Sequence, residues 1–315
     1  MKHLSGSRRF WMMMVTGYAL CSLMLAASLG RPAQKTFGVT CMTMNNPFYQ
    51  VILAQLQKGA ITHGDRLIVR DPLLDARKQS GQIQQFIEAG VDGIFVNAVD
   101  RKALEPVLKQ AKAAHISVIA MDTNVSEESL ADCTIISDNF EAGRLCGLDL
   151  VKKQNQGRIW LLRHSSAQSA DERIAGFLSV VSQHPGFTII GEAECEGQLE
   201  KAMPAMNSLL EQQPDGDVVM ALNDPSALGA IAALEQHGRE DVRVYGVDGT
   251  PDMKARIQES PQYATVAQSP ISIGQTASST MYALMQGETV DPLILVPVEL
   301  LDQQRLAGRR ITGWQ

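Results

Sequence analysis

The chain has 315 residues, 45% of them hydrophobic, 20% charged and 5% aromatic, with a net charge of −6. That hydrophobic share supports a real core and excludes disorder, while 25 Gly and 13 Pro exclude a collagen-like chain. The acidic balance, with no basic block, excludes an extended nucleic-acid surface, and the length suits one large domain or two ordinary ones.

Along the chain the first feature is an export pattern. Lys2, His3, Arg8 and Arg9 precede an apolar run from Phe10 to Leu29, which Arg31-Pro32 breaks. A short basic segment before an apolar stretch is the arrangement of a secretory signal, and Ala26, Ala27, Ser28 and Gly30 supply the small residues that cleavage needs. The run also approaches bilayer-spanning length, so a retained anchor stays open. Removing residues 1–30 takes away three basic residues and no acidic one, which moves the net charge from −6 to −9. The body keeps Cys41, Cys133, Cys146 and Cys195. None forms a C-x-x-C pair and each lies in or beside an apolar run, so we read them as small buried hydrophobes. Four cysteines in an oxidising compartment also permit three pairings, among which spacing does not choose.

Short β-branched runs then alternate with helical patterns. Strands are predicted at Lys35–Thr40, Arg66–Arg70, Gly93–Val96, Ile116–Met121, Arg158–Leu162, Thr188–Ile190, Asp217–Leu222 and Arg243–Val247. Between the early ones, helices are predicted at Phe48–His63, Ser80–Ala89 and Ala103–Ala114. Apolar strands separated by helices of ~10–15 residues imply parallel sheets covered on both faces. Their number exceeds one usual sheet, so the fold class is α/β with two doubly wound lobes.

An internal repeat supports the division. Asn97 follows one predicted strand and Asp122 ends the next, 25 positions later; Asn223 and Asp248 repeat the arrangement at the same spacing. Both units carry an Ala-Leu pair in the helix, Ala103-Leu104 and Ala227-Leu228. Ligands of open parallel sheets bind outside the carboxyl ends of the strands, so these four residues should converge on one cleft.

Enzyme motifs are missing. The sequence has no G-x-S-x-G elbow, no phosphate-binding Gly-rich loop, no G-x-G-x-x-G and no H-E-x-x-H, and its six histidines are scattered. Asn45-Asn46-Pro47-Phe48-Tyr49, between the first strand and its helix, instead offers an amide and two aromatic faces. Helix capping by Asn46 and a hydrophobic staple by the aromatics explain the same residues equally well.

With these pieces in order, the body resembles the periplasmic sugar-binding proteins of the ribose/galactose type, in their ribose-binding branch. The resemblance spans about residues 35–301. It rests on Asn45-Asn46-Pro47-Phe48-Tyr49, Gly90-Val91-Asp92-Gly93-Ile94, Ser137-Asp138-Asn139, Asn223-Asp224 with Ala227-Leu228-Gly229-Ala230, and Gly246-Val247-Asp248-Gly249-Thr250-Pro251-Asp252. It implies the type I periplasmic binding protein fold, two Rossmann-like lobes joined by three crossings near Asp138, Gln268 and Glu299. The lobes would be residues 35–137 with 269–298, and 138–268 with 299–315. The resemblance carries sugar contacts onto Asn46, Phe48, Tyr49, Asn97, Asp122, Arg173, Asn223, Asp248 and Gln268. It implies no catalysis, cofactor or metal, and a monomer that closes on a monosaccharide or polyol and then docks on an ABC transporter permease. A sensor that delivers a sugar signal to a membrane chemoreceptor or kinase is the alternative. A secreted carbohydrate-acting enzyme would need a nucleophile or acid–base pair that no motif supplies, and an effector domain of the lactose-repressor family would need a DNA-binding segment where the apolar run stands. Two positions depart from the ribose pattern: Thr123 stands where relatives carry Arg, and Gly197 where they carry an aromatic, which leaves the identity of the sugar open.

Overall fold

The computed structural model describes residues 34–165, 167–309 and 311–314; the export pattern at residues 1–30 lies outside them. The chain begins with β1 (Thr36–Thr40), α1 (Pro47–His63), β2 (Arg66–Arg70), α2 (Ala76–Glu88), β3 (Gly93–Val96), α3 (Arg101–Ala113), β4 (Ser117–Met121) and β5 (Cys133–Ser137). It continues through α4 (Asn139–Lys153), β6 (Gly157–Arg163), α5 (Gln168–Val181), β7 (Phe187–Glu194), α6 (Leu199–Gln212), β8 (Val218–Ala221), α7 (Asp224–Gln236), β9 (Arg243–Asp248), α8 (Pro251–Glu259) and β10 (Tyr263–Ala267). The last elements are α9 (Pro270–Met285), β11 (Leu293–Val296), β12 (Glu299–Leu301) and α10 (Gln303–Leu306).

Twelve strands among the described residues form two six-stranded sheets. The first runs β11-β5-β4-β3-β1-β2 and is parallel throughout. The second runs β12-β10-β9-β8-β6-β7 and is parallel except for β12, which pairs antiparallel with β10. Each sheet carries one apolar cluster on either face. Phe37, Ile52 and Ile119 belong to one cluster of the first sheet, and Ile94, Leu104 and Val118 to the other. Trp160, Leu162 and Val244 mark one side of the second sheet; Ile159, Leu161 and Tyr245 mark the opposite one. Burial on both faces explains why these strands are continuously apolar rather than alternating.

The chain crosses between sheets three times: after β5, after β10, and between β11 and β12. Sequence patterns missed β5, β10, β11 and β12. Two of these are edge strands of three or four residues, too short to impose a period. Helix α2 begins at Ala76 rather than Ser80, because the Asp75 carboxylate accepts from the Arg77 and Lys78 amides and starts the helix within a polar stretch.

One helix pair depends on glycine for close approach. A Cβ on Gly143 of α4 would stand 1.7 Å from the Arg173 carbonyl, and one on Gly176 of α5 would stand 2.0 Å from that of Phe140. No other residue lets these helices meet, and their contact sets where Arg173 begins its reach toward the cleft.

Candidate functional site

The carboxyl ends of both sheets open on a cavity of ≈ 490 Å³. On the first-lobe side, the Asn46 Oδ1 accepts from the Phe48 amide at 2.9 Å and caps α1, with Pro47 at its first turn. Phe48 and Tyr49 are 6% and 7% exposed and meet edge to face, with centroids 5.6 Å apart. They are therefore core residues and cavity wall at once. The Tyr49 hydroxyl donates to Asp122 Oδ2 at 3.2 Å.

Asp122 directly follows β4 with φ +63°, a left-handed conformation uncommon outside glycine. Its counterpart Asp248 ends β9 with φ +142°. Backbone strain at both strand ends is maintained by the surroundings and aims the two carboxylates at the cavity. Burial pushes Asp122 up to about 6; the Arg173 charge and the bonds from Tyr49 and Asn97 oppose the shift, and the nearby Asp248 charge adds to it. Burial raises Asp248 as well, against the pull of Arg173 and Gln268.

The second lobe supplies the cation. Arg173, on α5, is buried; its Nε donates to Asn139 Oδ1 at 2.9 Å and its Nη1 to the Leu222 carbonyl at 3.0 Å. Nη1 also stands 3.5 Å from Asp248 Oδ1, which accepts from Gln268 Nε2 at 2.8 Å. These bonds leave particular atoms over. Among the described residues nothing bonds Arg173 Nη2 or Asp122 Oδ1. A free donor and a free acceptor from opposite lobes thus line one cavity with two aromatic faces.

Seven of the nine residues expected from sequence line it: Asn46, Phe48, Tyr49, Asp122, Arg173, Asp248 and Gln268. Asn97 and Asn223 are not among the lining side chains. Asn97 is fully buried behind Asp122, accepting from the Met42 amide at 3.0 Å and donating to the Met121 carbonyl at 3.1 Å, Asp122 Oδ2 at 3.3 Å and Thr123 Oγ1 at 3.2 Å. Asn223 caps α7 through the Ser226 amide and donates to the Gly197 carbonyl at 3.0 Å. Gly197 adopts φ +69°, and a Cβ there would stand 2.9 Å from Asn223 Nδ2. Thr123 lines this cavity and an adjoining one of ≈ 520 Å³. Sequence reasoning missed Asn139, Ser169 and Trp314. Asn139 was signalled only as a member of Ser137-Asp138-Asn139, and nothing pointed to the other two.

The four cysteines of the body are free and buried, and burial pushes the Cys41 thiol up to about 12. Among the described residues no group of His, Cys, Asp and Glu could hold a metal ion, and no helix is long and apolar enough to cross a membrane.

The family model for the periplasmic binding protein domain matches residues 37–289. The chain belongs to the periplasmic binding protein family. Its sequence is similar to the ribose import binding protein of Escherichia coli, 31% identical over 285 residues that cover 90% of this chain and 96% of that one. Among solved members, an ABC transporter solute binding protein of Mycobacterium smegmatis with bound glycerol is 31% identical, with a TM-score of 0.79 over 88% of this chain and 96% of that one. Another from Bacillus halodurans C-125 with bound myo-inositol is 26% identical, with a TM-score of 0.80 over 89% of this chain and 98% of its own. The two parallel-sheet lobes and their three crossings are the architecture of type I periplasmic binding proteins.

Proposed function

We propose that the protein is the solute-binding component of an ABC importer and takes a monosaccharide or related cyclic polyol into the cleft. The observation that carries this reading is the pair of unspent polar atoms, Asp122 Oδ1 from one lobe and Arg173 Nη2 from the other, beside Phe48 and Tyr49. Vicinal hydroxyls can donate to the carboxylates and accept from the guanidinium, while ring C–H faces lie on the aromatics. An uncharged ligand suits this set because Arg173 is already balanced by Asp248. The relatives support the reading by what they bind: ribose import, glycerol and myo-inositol.

In this reading the lobes are residues 35–137 with 269–298 and 138–268 with 299–315. Asn46, Phe48, Tyr49, Asp122, Arg173, Asp248 and Gln268 contact the ligand, and Asn97 and Asn223 hold strand ends in place. Residues 1–30 export the chain to the periplasm. A ligand that bonds both lobes favours the closed form, since only that form makes both sets of contacts, and the closed monomer docks on the permease. The chain binds its solute without turning it over.

Thermal-shift screening against D-ribose, D-allose, L-arabinose and myo-inositol tests this. A bound ligand at 100 times its Kd adds ~2.7 kcal/mol, a rise of several degrees in Tm. The absence of a shift with every sugar and polyol would overturn the reading. A shift that survives Asp122→Ala with Arg173→Ala would overturn the assigned contacts.

A further inference from the structure

The cavity has a third aromatic wall, and it comes from the chain beyond α10. Phe48 and Tyr49 are supplied by α1, and the only other ring among the described lining residues is Trp314. Second-lobe helices contribute Ser169, Arg173, Pro225, Pro251 and Asp252, none of them aromatic. Trp314 packs edge to face on Phe48, with centroids 5.3 Å apart and planes at 79°, and joins the apolar cluster of the first sheet.

The preceding residue is tied to the opposite lobe. The Gly313 carbonyl accepts from Lys254 Nζ at 2.6 Å. Lys254 sits on α8 with 0% exposure, and among the described residues that carbonyl is the one acceptor bonded to its ammonium. A buried ammonium is poorly solvated without an acceptor, so the lysine has a strong preference for keeping this contact. Adjacent residues of the tail are therefore fastened to α8 on one side of the cavity and to Phe48 on the other.

We propose that Trp314 is a ligand-contacting wall of the sugar site and that Lys254 is the positioning residue that holds it there. The proposal rests on the sugar-binding reading. Two rings near a right angle form a corner against which a cyclic sugar can set its C–H face, and the indole offers the larger of the two surfaces.

Isothermal titration of the full chain with D-ribose, D-allose, L-arabinose and myo-inositol provides the test. Trp314→Ala should weaken the tightest of these at least tenfold, and Trp314→Phe should recover most of the loss. Lys254→Met should reproduce the weakening, and the double variant should lose no more than either single one. Iodide quenching adds a readout that a purely structural lysine would not move. Trp160 is fully buried and Trp11 is common to every variant, so the quenching that disappears in Trp314→Phe reports Trp314, and it should rise in Lys254→Met. If wild type binds one of the four ligands and Trp314→Ala binds it equally well, the proposal is overturned while the sugar reading stands. If wild type binds none of them, the sugar reading fails and the proposal with it. Normal binding and quenching in Lys254→Met would remove the positioning role.

Discussion

Asn97 and Asn223 stand at the same distance, 25 residues, before Asp122 and Asp248, yet they do different work. In the first lobe, residues 97–100 separate β3 from α3, and Asp100 caps the helix. Asn97 is thereby released from capping and ties the chain after β1 to the end of β4 through four hydrogen bonds. In the second lobe only Leu222 and Asn223 separate β8 from α7, so Asn223 must be the cap. The connecting role passes one residue on, to Asp224, which is fully buried and accepts from Thr265 Oγ1 at 2.5 Å and the Thr250 amide at 2.7 Å. Burial and the neighbouring Asp248 charge raise Asp224 above the usual carboxylate range, a cost the neutral Asn97 avoids. Equal spacing thus brings both units to equivalent ends, while loop length decides whether a polar residue caps a helix or ties strands together.

The largest expected effect tests the charge that only the second lobe carries. Arg173→Ala removes the bonds to Asn139 and Leu222 and leaves Asp248 without its cation. Stability should fall by about 3 kcal/mol in chemical denaturation, and ligand affinity by at least ~100-fold in calorimetry, as for charged hydrogen bonds lost together. A variant that keeps wild-type affinity would detach Arg173 from the site.

The next effect lies in the first lobe and depends on pH. Asp122 titrates near 6 when folded and nearer 3.8 when unfolded, so the native state holds an extra proton between these values. The group's contribution to stability therefore falls as pH rises from about 4 to 6. Ligand hydroxyls donate to the ionised carboxylate, so affinity should run the other way, about tenfold weaker at pH 5 than at pH 7. Asp122→Asn should flatten that dependence. A Kd independent of pH in wild type would show that the ligand does not distinguish the two forms of Asp122.

The smallest effects separate the two asparagines. Asn97→Ala strands the half-buried Met42 amide and removes one of two donors from the Met121 carbonyl, which keeps the Thr123 amide, at a cost of about 2 kcal/mol. It also removes a bond that holds Asp122 down, so the pH midpoint of binding should move upward. Asn223→Ala loses a cap worth about 1 kcal/mol and should leave that midpoint in place. Denaturation and pH titration of both variants check the contrast; equal shifts in the midpoint would refute it.

Much of the architecture was legible because it depends on local pattern. Arg66–Arg70 and Gly93–Val96 are strands with the expected bounds, and the helix expected from Phe48 starts at Pro47. Asp122 and Asp248 were legible as strand ends, since their position follows from the count of residues between apolar runs. β12 was not, because three residues pair antiparallel only once β10 offers an edge.

Local order alone determined two lobes of apolar strands and the places where their polar ends would fall. Tertiary structure decided which atoms at those ends are left for a ligand. Arg173 gains its place from the glycine contact between α4 and α5, Asn97 spends its amide on a neighbouring strand, and Trp314 reaches Phe48 from a tail held by Lys254. Hydrophobic periodicity is carried by neighbours in the chain. The spending of hydrogen bonds depends on partners between 24 and 75 positions away, as the pairs Asn97–Met121 and Arg173–Asp248 have it.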